Sequence, residues 1–197
     1  MTVRTTAAVR LRRPERRAAI LAGAAAAFAR GGFAGTSMAD IAAATGVSHL
    51  IVYRHFDSKE RLYEVILDQA VAHLGEALSS RGAVGDYGPT PAVLLHAARR
   101  DPAAFEVLWR HAAHEPAFAH VADRGRHLVQ AATERALTPH VARAHRRWAA
   151  RATVAYLVES VLVWVEDGAP RLDDRFVAAT NSALRAGVRS WARASSP

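Results

Sequence analysis

Apolar positions recur at helical spacing through most of this chain. Ile20, Ala24 and Phe28 stand at i, i+4 and i+8 with Leu21 beside them, a stripe that an amphipathic helix must bury. In the next segment Ile41, Ala42 and Thr45 share a face, and Ser37 with Asp40 has the spacing of a capping box, Asp replacing the usual Glu. A helix is therefore predicted from about Met38, ending at Gly46, which can take a positive φ where the chain must turn. Ser48 can cap a second short helix running to His55; Phe56 then returns to the core, and Asp57 or Ser58 caps the next helix. Two short helices around a glycine turn make a helix-turn-helix, whose second member, Ser48 to His55, suits a major groove.

The block IAAATGVSHLIVYRHFDSKERLYEVIL, preceded by ILAGAAAAFARGGFAGTS, resembles the TetR/AcrR repressors. The resemblance is specific over residues 15–67 and architectural beyond them. It implies an all-α fold, with an N-terminal three-helix DNA-binding domain followed by a helical ligand-binding and dimerisation domain. It also implies that Thr36, Ser37, Tyr53, His55 and Lys59 hold the phosphate backbone while Ser48, His49, Leu50, Ile51 and Arg54 face the groove. The chain departs from the family pattern at Leu50, where a small residue or proline is common, and at Ile51, where Thr or Ser is common. Neither side chain donates a hydrogen bond, so reading there would rest on thymine methyl groups.

Downstream, helices are predicted over residues 59–78, 91–99, 102–113, 116–136, 147–167 and 173–194, with loops over 79–91 and 137–145. The expected organisation is a disordered basic arm over 1–13, the DNA-binding domain over 14–58, and an effector-binding and dimerisation domain over 59–197. In the last helix Val177, Leu184 and Trp191 recur at seven, with Asn181 and Val188 between them, a coiled-coil-like seam. The preceding helix, AYLVESVLVWVE, is apolar on nearly every side. Together they predict a homodimer through the last two helices, reading a palindromic operator.

A pocket for a small apolar or amphipathic effector is expected among Phe105, Trp109, Phe118, Leu128, Tyr156 and Trp164, with polar contacts from His111, His114, Glu159 and Ser160. Glu159, a carboxylate in an apolar helix, needs a partner such as Arg110 or Arg151. The histidine spacing mostly rejects a metal site: His114-Glu115 begins an H-E-x-x-H pattern, but Phe118 stands where the second histidine belongs, which leaves a metal sensor on His111, His114 and His120 as a lesser alternative. No nucleophile elbow, Walker loop or dinucleotide turn is present, so no catalytic residue, cofactor or metal is expected.

Charge sharpens the picture. Of the net +8, residues 1–60 carry +5 (eight Arg and one Lys against Glu15, Asp40, Asp57 and Glu60), at the end that would meet phosphates. Lys59 is the single lysine, in the first turn of a helix whose dipole already favours an anion. The absence of cysteine fits a reducing cytoplasm. Arg12-Arg13 before AAILAGAAAAFA has some likeness to a secretory signal, but Pro14, Glu15, Arg16 and Arg17 intervene and the run carries a helical stripe. The apolar stretch 154–165 is too short to cross a membrane and is broken by Glu159 and Ser160. Alternative readings are an architectural or activating DNA binder without an effector, and a helical small-molecule binding protein.

Overall fold

A computed structural model describes residues 12–80 and 84–194 of the chain. The proposed basic arm falls almost wholly on residues 1–11 and lies outside the described residues; Arg13, assigned to that arm, instead opens the first helix. The helices are α1 (Arg13–Gly31), α2 (Met38–Thr45), α3 (His49–His55), α4 (Lys59–Ser79), α5 (Pro91–Arg100), α6 (Pro102–Glu106), α7 (Ala119–Leu137), α8 (Arg143–Asp167) and α9 (Asp173–Ala194). The fold is all-α apart from a two-residue antiparallel pair, Val84–Gly85 with Gly88–Pro89, inside the expected loop.

The local punctuation matches its chemistry. Ser37 Oγ accepts from the Asp40 amide at 3.1 Å and the Asp40 carboxylate accepts from the Ser37 amide at 2.8 Å, a complete capping box. Those Ser37 bonds hold the Asp40 carboxyl below its usual range. Gly46 ends α2 at φ 66°, the left-handed region where a Cβ would be strained. At α4 the cap is Ser58 rather than Asp57: its Oγ accepts from the Arg61 amide at 3.1 Å.

Three expected boundaries are corrected. The 102–113 helix breaks after α6 into a π-helical turn, Val107–His111, and a 3-10 turn, Ala112–His114. The following helix starts at Ala119, because Glu115 to Phe118 form their own tight turn ahead of it. Finally, α8 begins at Arg143, four residues earlier than predicted, which shortens the 137–145 connector. A further correction concerns hydropathy: α8 contains an 18-residue window of mean hydropathy 1.3, long and apolar enough to cross a membrane. In this fold one side of it, including Val154, Leu157, Val161 and Leu162, is buried against the other helices.

Two cores hold the molecule. The first gathers Ile20, Phe28, Ile41, Val52, Phe56, Leu62 and Ile66, the packing centre of α1 to α4, and continues into Leu108, Phe118 and Val121. The expected division at residue 58 is thus not a packing boundary. Phe28, Phe33, Tyr63 and Phe118 meet at 4.8–6.2 Å between ring centroids, Phe28 stacked on Phe33 and the other pairs edge-on or tilted, and bind the N-terminal helices to the start of α7. Burial drives the Tyr63 phenol pKa upward, with Glu115 adding to the effect, and its hydroxyl has no hydrogen-bond partner among the described residues. The second core joins α5, α7, α8 and α9 through Leu94, Val129, Leu157, Val161 and Val188.

That second core changes the reading of α9. Leu184 and Val188 are buried inside the subunit, and Val177 and Trp191 pack against the same core; Asn181 is half-buried. The heptad seam expected between subunits is therefore used mainly within one. A spacing of seven reports a continuous apolar face and does not say which helix covers it.

Candidate nucleic-acid interface

The recognition helix α3 is only seven residues long, so its placement rests on tertiary packing rather than intrinsic helicity. Val52 is fully buried and Phe56 nearly so, and together they root α3 on α1 and α2. Gly23 permits the close approach of α1 to α2: a Cβ there would stand 2.3 Å from Thr45 Cγ2. With one side rooted, His49, Leu50, Tyr53 and Arg54 face solvent, Leu50 at 70% exposure. His49 and Tyr53 contact edge-to-face at 4.8 Å, one turn apart. This is an outward face of one apolar, one phenolic, one imidazole and one guanidinium group, suited to a groove wall.

Several expected contact residues sit elsewhere. Ile51 is partly buried and packs on the first core, because it adjoins Val52 on the rooted side of the helix. Thr36 is 4% exposed, and its hydroxyl donates inward to the carbonyl oxygens of Gly32 at 2.8 Å and Ala27 at 3.2 Å. Lys59 Nζ donates to the Phe33 carbonyl oxygen at 2.9 Å, so the ammonium is engaged inside the fold. Ser48 accepts from the Ile51 amide at 3.4 Å as a cap, and Ser37 is exposed with its hydroxyl on Asp40 at 2.6 Å. Ser37, His49, Tyr53, Ser58 and Lys59 border one concavity of about 580 Å³ between the α1–α2 connection, α3 and the N-terminus of α4. On this side the exposed polar side chains are therefore Tyr53 and Ser37, beside the N-terminus of α4.

Arginines on α1 extend the surface beyond the helix-turn-helix. The His55 imidazole has its pKa lowered by partial burial first, then by the fields of Arg13, Arg16, Arg17 and Arg54. Arg17 also lies over the Phe56 ring at 5.0 Å. Of these α1 residues Arg16 and Arg17 were absent from the expected contact set, and Arg13 was expected to act only as part of the basic arm. Their signal was present in the sequence, since 13, 16 and 17 share one side of a helix whose Ile20–Ala24–Phe28 stripe faces inward.

The expected effector set does not converge on one pocket. Phe118 belongs to the aromatic cluster beside α1 and α4, whereas Phe105 and Trp109 contact each other at 6.1 Å in the second core. Leu128 is exposed on α7, and Tyr156, Glu159 and Ser160 line an open groove along α8 with Val163 and Trp164. His111 lies 4.0 Å from Glu106, and His114 Nδ1 is 3.0 Å from the Arg110 carbonyl oxygen. Glu159 has the partner its chemistry demands, Arg110 at 3.5 Å, and Arg110 also reaches Glu166 at 3.2 Å. Among the described residues no group of three or more His, Asp or Glu side chains is placed to hold a metal ion.

Comparison with known proteins agrees with this geometry. Residues 20–66 match the family described as bacterial regulatory proteins, tetR family. A helix-turn-helix transcriptional repressor of Mycobacterium tuberculosis is 46% identical over 67 residues, a stretch that covers 34% of this chain and 34% of the relative. The alignment therefore spans about a third of each protein. In overall fold the chain is similar to a TetR-like transcriptional regulator from Rhodococcus sp. RHA1, with TM-score 0.72 at 21% identity over 91% of this chain and 98% of that one. It is also similar to a TetR-family member from Streptomyces coelicolor A3, with TM-score 0.60 at 21% identity over 86% and 87% of the two chains. Residues 20–66 thus form a helix-turn-helix domain of the tetR family, carried on a fold similar to that of the Rhodococcus regulator.

Proposed function

We propose that this protein is a transcriptional repressor that binds a palindromic operator as a homodimer and is released by a small apolar or amphipathic effector. The observation that carries the reading is the rooted recognition helix: Val52 and Phe56 fix α3 in the first core while His49, Leu50, Tyr53 and Arg54 project outward beside the α1 arginines. In this reading Arg54 reads a base edge, Tyr53 and Ser37 hold backbone, and Leu50 senses thymine methyls. The repressor named among the relatives supports the sign of regulation. Because the first core runs from α1 through α4 into Leu108, Phe118 and Val121, a ligand that shifts the second domain repositions the reading helices. Its effect is limited to its differential affinity for the two states, typically ~1–3 kcal/mol.

The test is fluorescence anisotropy on labelled DNA from upstream of the protein's own gene against a scrambled duplex, across a salt series. A preference for the native duplex at two protomers per site, weakened on all duplexes by Tyr53→Phe and altered in base preference by Arg54→Ala, is the expected result. Equal weak binding of both duplexes that Tyr53→Phe leaves unchanged would overturn it.

A further inference from the structure

Between α7 and α8, roofed by Trp109 of the π-helical turn, lies a cleft of about 370 Å³. Its polar groups are unevenly matched. Trp109 Nε1 is buried and has no acceptor among the described residues. Arg126 and Gln130 come from α7, while Arg151, Val158 and Glu159 come from α8. Glu159 is the sole carboxylate of the lining and is already engaged by Arg110 at 3.5 Å. Arg126 is paired locally with Asp123 at 2.6 Å, and Arg151 makes no ion pair among the described residues. An indole N–H and a guanidinium can only donate, so the cleft holds a surplus of donors over an apolar floor.

We propose that this cleft binds a small amphipathic carboxylate, its charge between Arg126 and Arg151, an oxygen within reach of the Trp109 indole N–H, and its hydrocarbon against Val158. Against these donors the lining offers only the Gln130 amide oxygen and the Glu159 carboxylate that Arg110 already engages; a bound carboxylate adds acceptors through charge-assisted bonds that a neutral amide cannot reproduce. Its role as the releasing effector rests on the repressor reading above; the binding itself does not.

Calorimetric titration of the full-length protein without DNA tests the site, using benzoate and octanoate, each against its own amide, benzamide and octanamide. Saturable binding of an acid is expected, at least tenfold tighter than its amide. Arg126→Gln and Arg151→Gln should each weaken it about tenfold, the loss of one charge-assisted bond. Trp109→Phe keeps the ring, removes the donor and should cost severalfold in affinity with thermal unfolding little changed. No saturable binding of either acid, or acid binding that the arginine variants leave intact, would overturn the proposal. Operator anisotropy with the acid bound reads the repressor hypothesis separately: a cleft that fills without releasing DNA leaves the site standing and removes its regulatory role.

Discussion

Lys59 and Phe33 are joined twice: the ammonium donates to the Phe33 carbonyl oxygen at 2.9 Å and lies 4.2 Å from the centre of the Phe33 ring. The pair ties the first turn of α4 to the segment between α1 and α2. A charged hydrogen bond contributes about 1.5–3 kcal/mol and a partly exposed cation–π contact about 0.5–1 kcal/mol, with overlap between them. Lys59→Ala is therefore expected to lower unfolding stability by roughly 2 kcal/mol in urea denaturation. The salt dependence of DNA binding should change by clearly less than one unit, the value expected for losing a phosphate contact. A full-unit change with an unaltered urea midpoint would put the ammonium on the DNA instead.

A second tie closes the C-terminal domain. Asp173 accepts from Arg99 at 2.9 and 3.2 Å and from the Trp164 indole at 2.7 Å, linking α5, α8 and α9. The Arg99 bonds, followed by the Trp164 bond, hold its carboxyl below the usual 3.8. A carboxyl lowered in the folded state contributes stability at neutral pH that is lost as pH falls below its unfolded value. Asp173→Asn should cost about 2 kcal/mol at pH 7. Thermal unfolding across pH should show the gap to the parent protein closing as pH falls below 3.8 and through the lowered folded value.

The N-terminal helices were legible because their signals are local. Ser37 with Asp40, Gly46 and Ser48 each act within four residues, and the Ile20–Ala24–Phe28 stripe needs only one helix to be read. Side-chain direction was harder, because it is decided by partners distant in sequence. Lys59 turns to Phe33, 26 residues away, and Thr36 turns to Ala27, so a position matched by resemblance did not fix what its polar group touches. The same cause explains α9: periodicity exposed the apolar face but not whether α5 and α8 or a second subunit covers it. The π-helical turn at Val107–His111 carries no Gly or Pro to announce it, and its Val107 and Leu108 are buried in the first core.

His55 offers a pH signature. Burial, then the positive fields of Arg13, Arg16, Arg17 and Arg54, depress its pKa from 6.5, so the unfolded chain takes up a proton before the folded one does. Stability should decline as pH falls from 7 through the unfolded pKa of about 6.5 toward the depressed folded value, and His55→Gln should flatten that decline. DNA phosphates act in the opposite sense by favouring the imidazolium. Operator affinity measured between about pH 7.5 and 6 should therefore rise on acidification in the parent protein and less in His55→Gln. Identical slopes in both would remove His55 from the phosphate surface.

The subunit contact can be located by contrasting two substitutions. On the outer side of α8, Trp148, Tyr156 and Val163 remain 56%, 40% and 45% exposed, spaced so that they share one face with the small residues Ala152, Ala155 and Ser160. Leu184 and Val188 of α9 are turned inward at 7% and 0%. If subunits meet through the outer face of α8, Val163→Arg should leave thermal unfolding of the monomer nearly unchanged while placing an unpaired charge in the contact. That costs about 3 kcal/mol, roughly a hundredfold in the dimer dissociation constant, and is read by sedimentation velocity. Leu184→Arg should instead bury an unpaired charge in the subunit's own core and destabilise it by about 4 kcal/mol or more. The reverse pattern, a folded monomer from Leu184→Arg and an intact dimer from Val163→Arg, would return the interface to the α9 seam.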